Sequence, residues 1–276
     1  MTANVDNPSI ARTRQLTQYA IVNMCQQKRG DRPMEGSTTT SPSRRQRVRD
    51  ATLRELISVS REILTTQGVE ALTIRAVARE MGMTPPGVYR YFDGHRALLD
   101  AVIVAILDEL TEFVATRVGE VDEADTAGRL VVASRALRRW GVEHPREFHL
   151  SLVVSPPEEE NQAVGRARAQ VGKLFGEIFA GAWRDYGGAS PAPWPREPRI
   201  EPLAERLVQI LEITMPSTAA AAAFTRCWTR LYGMVCLESL GLPRAIGDEA
   251  GDLFEAELAD LARTLGLPEA ALGAAR

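Results

Sequence analysis

Residues 72 to 99 read LTIRAVAREMGMTPPGVYRYFDGHRALL. Thr73 stands where a helix N-cap belongs, and Ile74, Val77, Ala78 and Met81 recur at helical spacing, so the pattern predicts a helix over 74 to 80 with one apolar side. Gly82 ends it. Thr84 can cap a second helix that opens on Pro85 and Pro86, positions at which a missing backbone N–H breaks no intrahelical bond. Two short helices joined by a turn of three or four residues containing glycine form the helix-turn-helix pattern, whose second helix enters the major groove of DNA. An ordinary pair of packed core helices could share that punctuation. It would not spend three consecutive positions on the polar-tipped Tyr89, Arg90 and Tyr91 in a helix that also carries Val88 and Phe92.

Residues 82 to 99 resemble the TetR family of transcriptional regulators, whose pattern is Gly-Val-Ser-x-Gly-Thr-Leu-Tyr-x-His-Phe-x-Ser-Lys-Glu-x-Leu-Leu. Tyr89 and Phe92 match outright, Thr84 takes the Ser position, Val88 the Leu position, and Leu98 and Leu99 the closing pair. Pro86 stands where Gly is usual, Gly87 where Thr or Ala often reads a base, Tyr91 where His is common, and His95 with Arg96 where Lys-Glu is common. Gly87 has no side chain to offer a base edge. On this reading the DNA-facing residues are Thr73, Thr84, Pro85, Pro86, Gly87, Tyr89, Arg90, Tyr91 and His95, with Arg90 the expected base reader.

Arg44, Arg45, Arg47, Arg49 and Arg54 precede or open a helix with an apolar face of Leu53, Leu56, Ile57, Ile63 and Leu64, stopping at Gly68. Five arginines against one acid, Asp50, are suited to phosphate, which gives affinity and register rather than sequence choice. The net charge of −3 hides an asymmetry: residues 44 to 100 hold ten arginines against seven acids, whereas residues 101 to 276 hold 18 basic residues against 26 acidic ones. A basic amino-terminal module on an acidic body fits a chain that meets phosphate with its first part. Only Lys28 and Lys173 are lysine, and the arginines are spread along the whole chain, which reads as coding bias.

The composition, 45% hydrophobic and 25% charged over 276 residues, is that of a soluble globular protein with chain enough for a sizeable core. Cys25, Cys227 and Cys236 are odd in number and lack C-x-x-C spacing, which fits a reducing cytoplasm. The best apolar run, Val102 to Leu107, is bracketed by Asp100 and Asp108, too short for a membrane span. Residues 1 to 43 read as a disordered tail ending in the polar linker GSTTTSPS, with translation starting at Met34 or, alternatively, an added DNA-contacting arm of Arg12, Arg14, Lys28 and Arg29. The DNA-binding domain is then 44 to 100, and 101 to 276 forms a helical effector-binding and dimerisation domain.

From His95 helical spacing holds for about six turns. The TetR resemblance implies that this helix transmits a tilt between the two domains. Beyond a loop at 119 to 128, helices are predicted over 127 to 142, 146 to 154, 158 to 186, 200 to 214, 217 to 240 and 249 to 265, with a rigid Pro-rich loop at 187 to 199. No stretch alternates at period two, so the expected fold is all-α with nine or ten helices.

FTRCWTRLYGMVCLESLG, 224 to 241, resembles a carboxy-terminal domain of some TetR-like regulators named for a Trp, His and Gly: Trp228 and Gly233 match, and Tyr232 replaces the His. Trp228 and Tyr232 read equally as core packing. A ligand cavity would take its apolar walls from Trp140, Phe148, Phe175, Phe179, Trp183, Trp228 and Tyr232, with His144, Arg139 and Tyr186 as polar anchors. Helix 217 to 240 is apolar over much of its circumference through Phe224, Trp228, Leu231 and Val235, and helix 249 to 265 adds Leu253, Phe254, Leu258, Leu261 and Leu265. Those residues are expected to pair with a second copy as a four-helix bundle, giving a homodimer that reads a palindrome.

His144, Glu147 and His149 are the one cluster that suggests catalysis. Positions five apart on a helix point about 140° away from each other, so the two His share no face as zinc ligands would. There is no phosphate-binding loop, nucleophile elbow or dinucleotide fingerprint. The expected function is a repressor, not an enzyme, needing no cofactor and released from a DNA operator by a small, mostly apolar effector. A ligand-independent DNA-binding regulator and a helical enzyme remain as alternatives.

Overall fold

The computed structural model describes residues 43 to 153, 161 to 187, 199 to 241 and 250 to 273. The expected tail and arginine arm of residues 1 to 42, the start of the helix predicted from 158, and most of the proline-rich loop lie outside these residues. All regular secondary structure among the described residues is helical.

Ser43 opens α1 (Arg44–Gln67) by accepting from Gln46 N, and Thr73 opens α2 (Ile74–Glu80) by accepting from Ala76 N. Between them runs a 3-10 turn, Val69–Ala71. Gly82 adopts φ 61 in the next turn, a conformation that costs a side-chain-bearing residue roughly 1–2 kcal/mol. Then follow α3 (Pro85–Tyr89) and α4 (His95–Gly119). Asp125 caps α5 (Thr126–Glu143), and Pro145 breaks it from α6 (Pro145–Phe148), which runs into a π-helical turn, His149–Val153. The remainder is α7 (Gln162–Tyr186), α8 (Glu201–Ile210), α9 (Thr218–Ser239), α10 (Ala250–Leu265) and α11 (Ala270–Gly273). Eleven α-helices are thus present among the described residues, against nine or ten expected; the unforeseen one is the single turn α11, just after Pro268.

Two compact units divide the chain. The first extends to Asp108 and takes in the segment ending at Gly165; the second holds the rest. In the first unit Leu53, Leu56, Leu72, Val77, Val88, Phe92 and Leu98 are buried. Burying Phe92 alone contributes roughly 1.5–3 kcal/mol. Asp100, also buried, accepts from Arg96 Nε at 3.0 Å and Asn161 Nδ2 at 3.2 Å, which satisfies both carboxylate oxygens.

In the second unit α9 is the central helix, in contact with α5, α6, α8 and α10. Arg135 grips Glu255 bidentately, at 3.0 Å from Nε and 2.6 Å from Nη2, and Arg138 grips Glu238 at 2.8 and 2.6 Å while lying over the Phe254 ring. Arg230 pairs with Glu257. These clamps turn the apolar stripe of α10 inward. As a result Phe224, Phe254, Leu258, Leu261 and Leu265, expected at a dimer interface, are buried within one chain; Leu231 is half-buried, and only Leu253 is exposed. Sequence gives the width of an apolar stripe but not which neighbour covers it.

The helix predicted to reach residue 214 stops at Ile210. Leu211 and Ile213 turn instead onto Gly172 and Gly176 of α7, where a Cβ at Gly172 would stand 2.7 Å from Leu211 Cδ2. Between the two plugs Glu212 adopts φ 52, the left-handed conformation that normally falls to glycine at a helix end. Glu212 is mostly solvent-exposed, and its contact with Lys173 at 3.9 Å contributes little. Replacing Glu212 with Gly should therefore raise stability by about 0.5–1 kcal/mol, read as a higher urea midpoint at unchanged slope. A lower midpoint would contradict the strain assigned to this turn.

Candidate nucleic-acid interface

The second helix of the turn, α3, is five residues long and is held by its neighbours. Val88 and Phe92 enter the core, while Tyr89 is 50% exposed and Arg90, at the C-terminal end of α3, is exposed. Thr84 occupies the N-cap position, yet its side chain makes no capping bond; its carbonyl accepts from Gly87 N at 2.8 Å instead. Thr84, Pro86, Thr73 and His95 are exposed, and Pro85 is half-buried.

Gly87 departs from expectation. It is buried, and a Cβ built there would lie 3.2 Å from Met83 Cε and 3.6 Å from Thr84 Oγ1, so Met83 covers a position that was expected to face DNA. Tyr91 departs as well. Lying past the end of α3, it is half-buried and carries the Arg49 guanidinium 5.6 Å from its ring centroid. Arg44, Arg45 and Arg47, by contrast, are exposed. Arg75 and Arg79 on α2, not singled out from the sequence, are exposed as well, with Arg79 3.4 Å from Glu80. Their i, i+4 spacing, set against buried Ile74, Val77 and Ala78, is the signal that would have found them.

The expected ligand-wall residues all fall in one connected set of rings. His144 stacks on Trp140 at 4.8 Å, and contacts continue through Phe148, Tyr232 and Trp228, from which Phe175 branches, then through Phe224 and Phe179 to Trp183. These rings fill space by touching each other. A cavity of ≈ 30 Å³ lies elsewhere, between α5, α7, α9 and α10, lined by residues that include Leu130, Ser134, Phe179, Cys227, Leu231 and Leu258. Only Phe179 is common to the two sets. Arg139 pairs with Glu143 at 2.9 Å on the surface and is no pocket anchor.

Tyr232 donates to Leu152 O at 2.6 Å, and burial, followed by neighbouring Cys236, pushes its phenol well above the ordinary range. Burial likewise raises the Cys236 thiol and pushes the Cys227 thiol up to about 12. A Cβ at Gly233 would meet nothing within 4 Å, so packing within one chain does not require glycine there. Among the described residues no group of His, Cys, Asp and Glu could hold a metal ion, and no helix is long and apolar enough to cross a membrane.

The described residues form a helix-turn-helix and a separate helical unit after it, the arrangement of a class of transcriptional regulators. Two family models match successive parts of the sequence: the tetR family of bacterial regulatory proteins over residues 56 to 102, and the tetracyclin repressor-like C-terminal domain over residues 130 to 261. The chain belongs to the TetR family of transcriptional regulators. It is 30% identical over 147 residues to the HTH-type transcriptional regulator Rv1816 of Mycobacterium tuberculosis, a match that takes in 52% of this chain and 62% of that regulator. Over 85 residues it is 31% identical to the tetracycline repressor protein class D of Escherichia coli, covering 31% and 39% of the two chains. In three dimensions it resembles the crystal structure of SCO4313, described as a regulatory protein, with a TM-score of 0.61, 25% identity and coverage of 80% and 98%.

The Cys227 environment makes a chemical prediction. The thiolate is the species that reacts, and a pKa of about 12 leaves roughly one thiol in ten thousand ionised at pH 8. Iodoacetamide at pH 8 should leave Cys227 unmodified in the folded protein and label it in urea, as read by peptide mass mapping. Rapid labelling without denaturant would contradict its burial.

Proposed function

We propose that this chain binds a palindromic DNA operator as a homodimer and represses transcription until a small, mostly apolar ligand releases it. The observation that carries the DNA-binding part is the exposed set Arg44, Arg45, Arg47, Tyr89 and Arg90 on a helix-turn-helix whose Val88 and Phe92 are committed to its own core. Guanidinium groups suit phosphate, and a forked donor at Arg90 suits the O6/N7 edge of guanine. One relative is a repressor by name, which supports that mode.

The dimer part rests on surface left open by one chain. Gly233, Leu237 and Leu240 repeat at i, i+4, i+7 along one side of α9, with Leu237 51% and Leu240 49% exposed, and Leu253 adds 49% exposure on α10. A glycine with free space beside it lets a second backbone approach closely. Charge at Leu237 should therefore separate the copies without unfolding either: Leu237→Glu is expected to sediment as a monomer at micromolar concentration. A dimeric variant would move the interface elsewhere.

The ligand part rests on the apolar cavity beside Phe179 and Leu231. Ligand sites run to roughly 300–1,000 Å³, so an effector must part the helices to enter. By linkage it then weakens operator binding as much as operator weakens it. The small cavity equally favours a second reading, in which the protein regulates without a ligand.

Substitution separates the two kinds of DNA contact in a binding assay on the region upstream of the protein's own gene. Arg90→Ala should cost about 1–3 kcal/mol on that region and little on random duplex. Arg47→Ala should weaken both alike and make the salt dependence shallower. Equal losses on both duplexes for Arg90→Ala would remove its base-reading role.

A further inference from the structure

Arg49 differs from the other arginines at the start of α1. Arg44, Arg45 and Arg47 are exposed, whereas Arg49 is half-buried with its guanidinium 5.6 Å from the centroid of the Tyr91 ring. Its own turn is fixed on both sides, because Ser43 accepts from Gln46 N and Gln46 Nε2 donates to Asp50 Oδ1 at 2.9 Å. Tyr91 is fixed too: its N–H donates to Val88 O at 2.9 Å and Phe92, next in the chain, is fully buried. The pair therefore joins two ordered backbone segments, the first turns of α1 and the turn that follows α3.

We infer that Arg49 is a positioning residue: it holds the C-terminal end of α3 through the face of the Tyr91 ring, and so sets the angle at which Tyr89 and Arg90 are presented. This rests on the DNA-binding reading above and adds a division of labour to it. Arg44, Arg45 and Arg47 act on phosphate directly, and Arg49 acts on the operator through Tyr91. A side chain that only touches phosphate weakens all DNA alike and removes about one counterion from the salt dependence. A side chain that aims the recognition helix weakens the sequence-specific complex and leaves the salt dependence alone.

Binding of full-length protein to its upstream region and to a random-sequence duplex, each across a salt series, distinguishes the two. Arg49→Gln should lower affinity for the upstream region roughly two- to fivefold, the span expected of an exposed cation–π contact, with random-duplex affinity and salt slope unchanged. Tyr91→Leu should do the same, Tyr91→Phe should restore most of the loss because the ring face remains, and the double variant Arg49→Gln/Tyr91→Leu should be no weaker than either single one. Equal weakening on both duplexes with a shallower slope for Arg49→Gln would overturn the inference, as would losses that multiply in the double variant. The pairing has a readout without DNA, a non-additive shift of the urea midpoint in the same double-variant cycle; additive shifts would overturn it. Wild-type protein binding neither duplex would defeat the DNA-binding reading itself, a result distinct from all of these.

Discussion

A five-residue helix cannot hold itself. Isolated helices shorter than about 12–15 residues are marginal in water, because one turn's worth of hydrogen bonds does not offset the entropy of nucleation. The α3 segment exists because Val88 and Phe92 are withdrawn completely from solvent and because Pro85 and Pro86 have their backbone angles fixed before folding. The exposed residues of that helix inherit their direction from those buried ones. Any change that loosens Phe92 moves Arg90, and any change that moves Arg90 alters what the surface can read.

The second unit is organised on different physics. Its central helix α9 is surrounded by aromatic rings that touch one another and is clamped to α5 by Arg138–Glu238, and its last long helix is held against α5 by Arg135–Glu255 and against α9 by Arg230–Glu257, pairs partly removed from water. Bidentate pairs of this kind fix orientation as well as proximity. Glu238, Glu255 and Glu257 each have an arginine partner.

How much of this was legible in sequence follows from the range of the forces involved. Caps and breakers act within one turn, so Thr73, Gly82 and Pro85 placed helix ends that the structure reproduces. Glu212 was illegible because a glutamate at φ 52 contradicts its own preference and is dictated by Leu211 and Ile213 seating on α7. The same division runs through the surface residues. Arg44, Arg45, Arg47 and Arg90 are exposed as their charge demands, but Gly87 is covered by Met83, a contact four residues back that helical periodicity alone did not resolve. Tyr91 has its partner 42 positions earlier in the chain, beyond reach of any local rule. The inward packing of the α10 stripe within one chain was the least legible feature, since stripe width is local information and the identity of the covering helix is not.

The proposed function depends on sequence-specific DNA recognition by the helix-turn-helix. Hydroxyl-radical footprinting of the purified full-length protein on the region upstream of its own gene is the most direct test. Two protected segments related by a twofold axis, with centres roughly one helical turn or 34–36 Å apart, are the predicted result. Uniform protection that appears only at concentrations where random duplex is equally bound would contradict it.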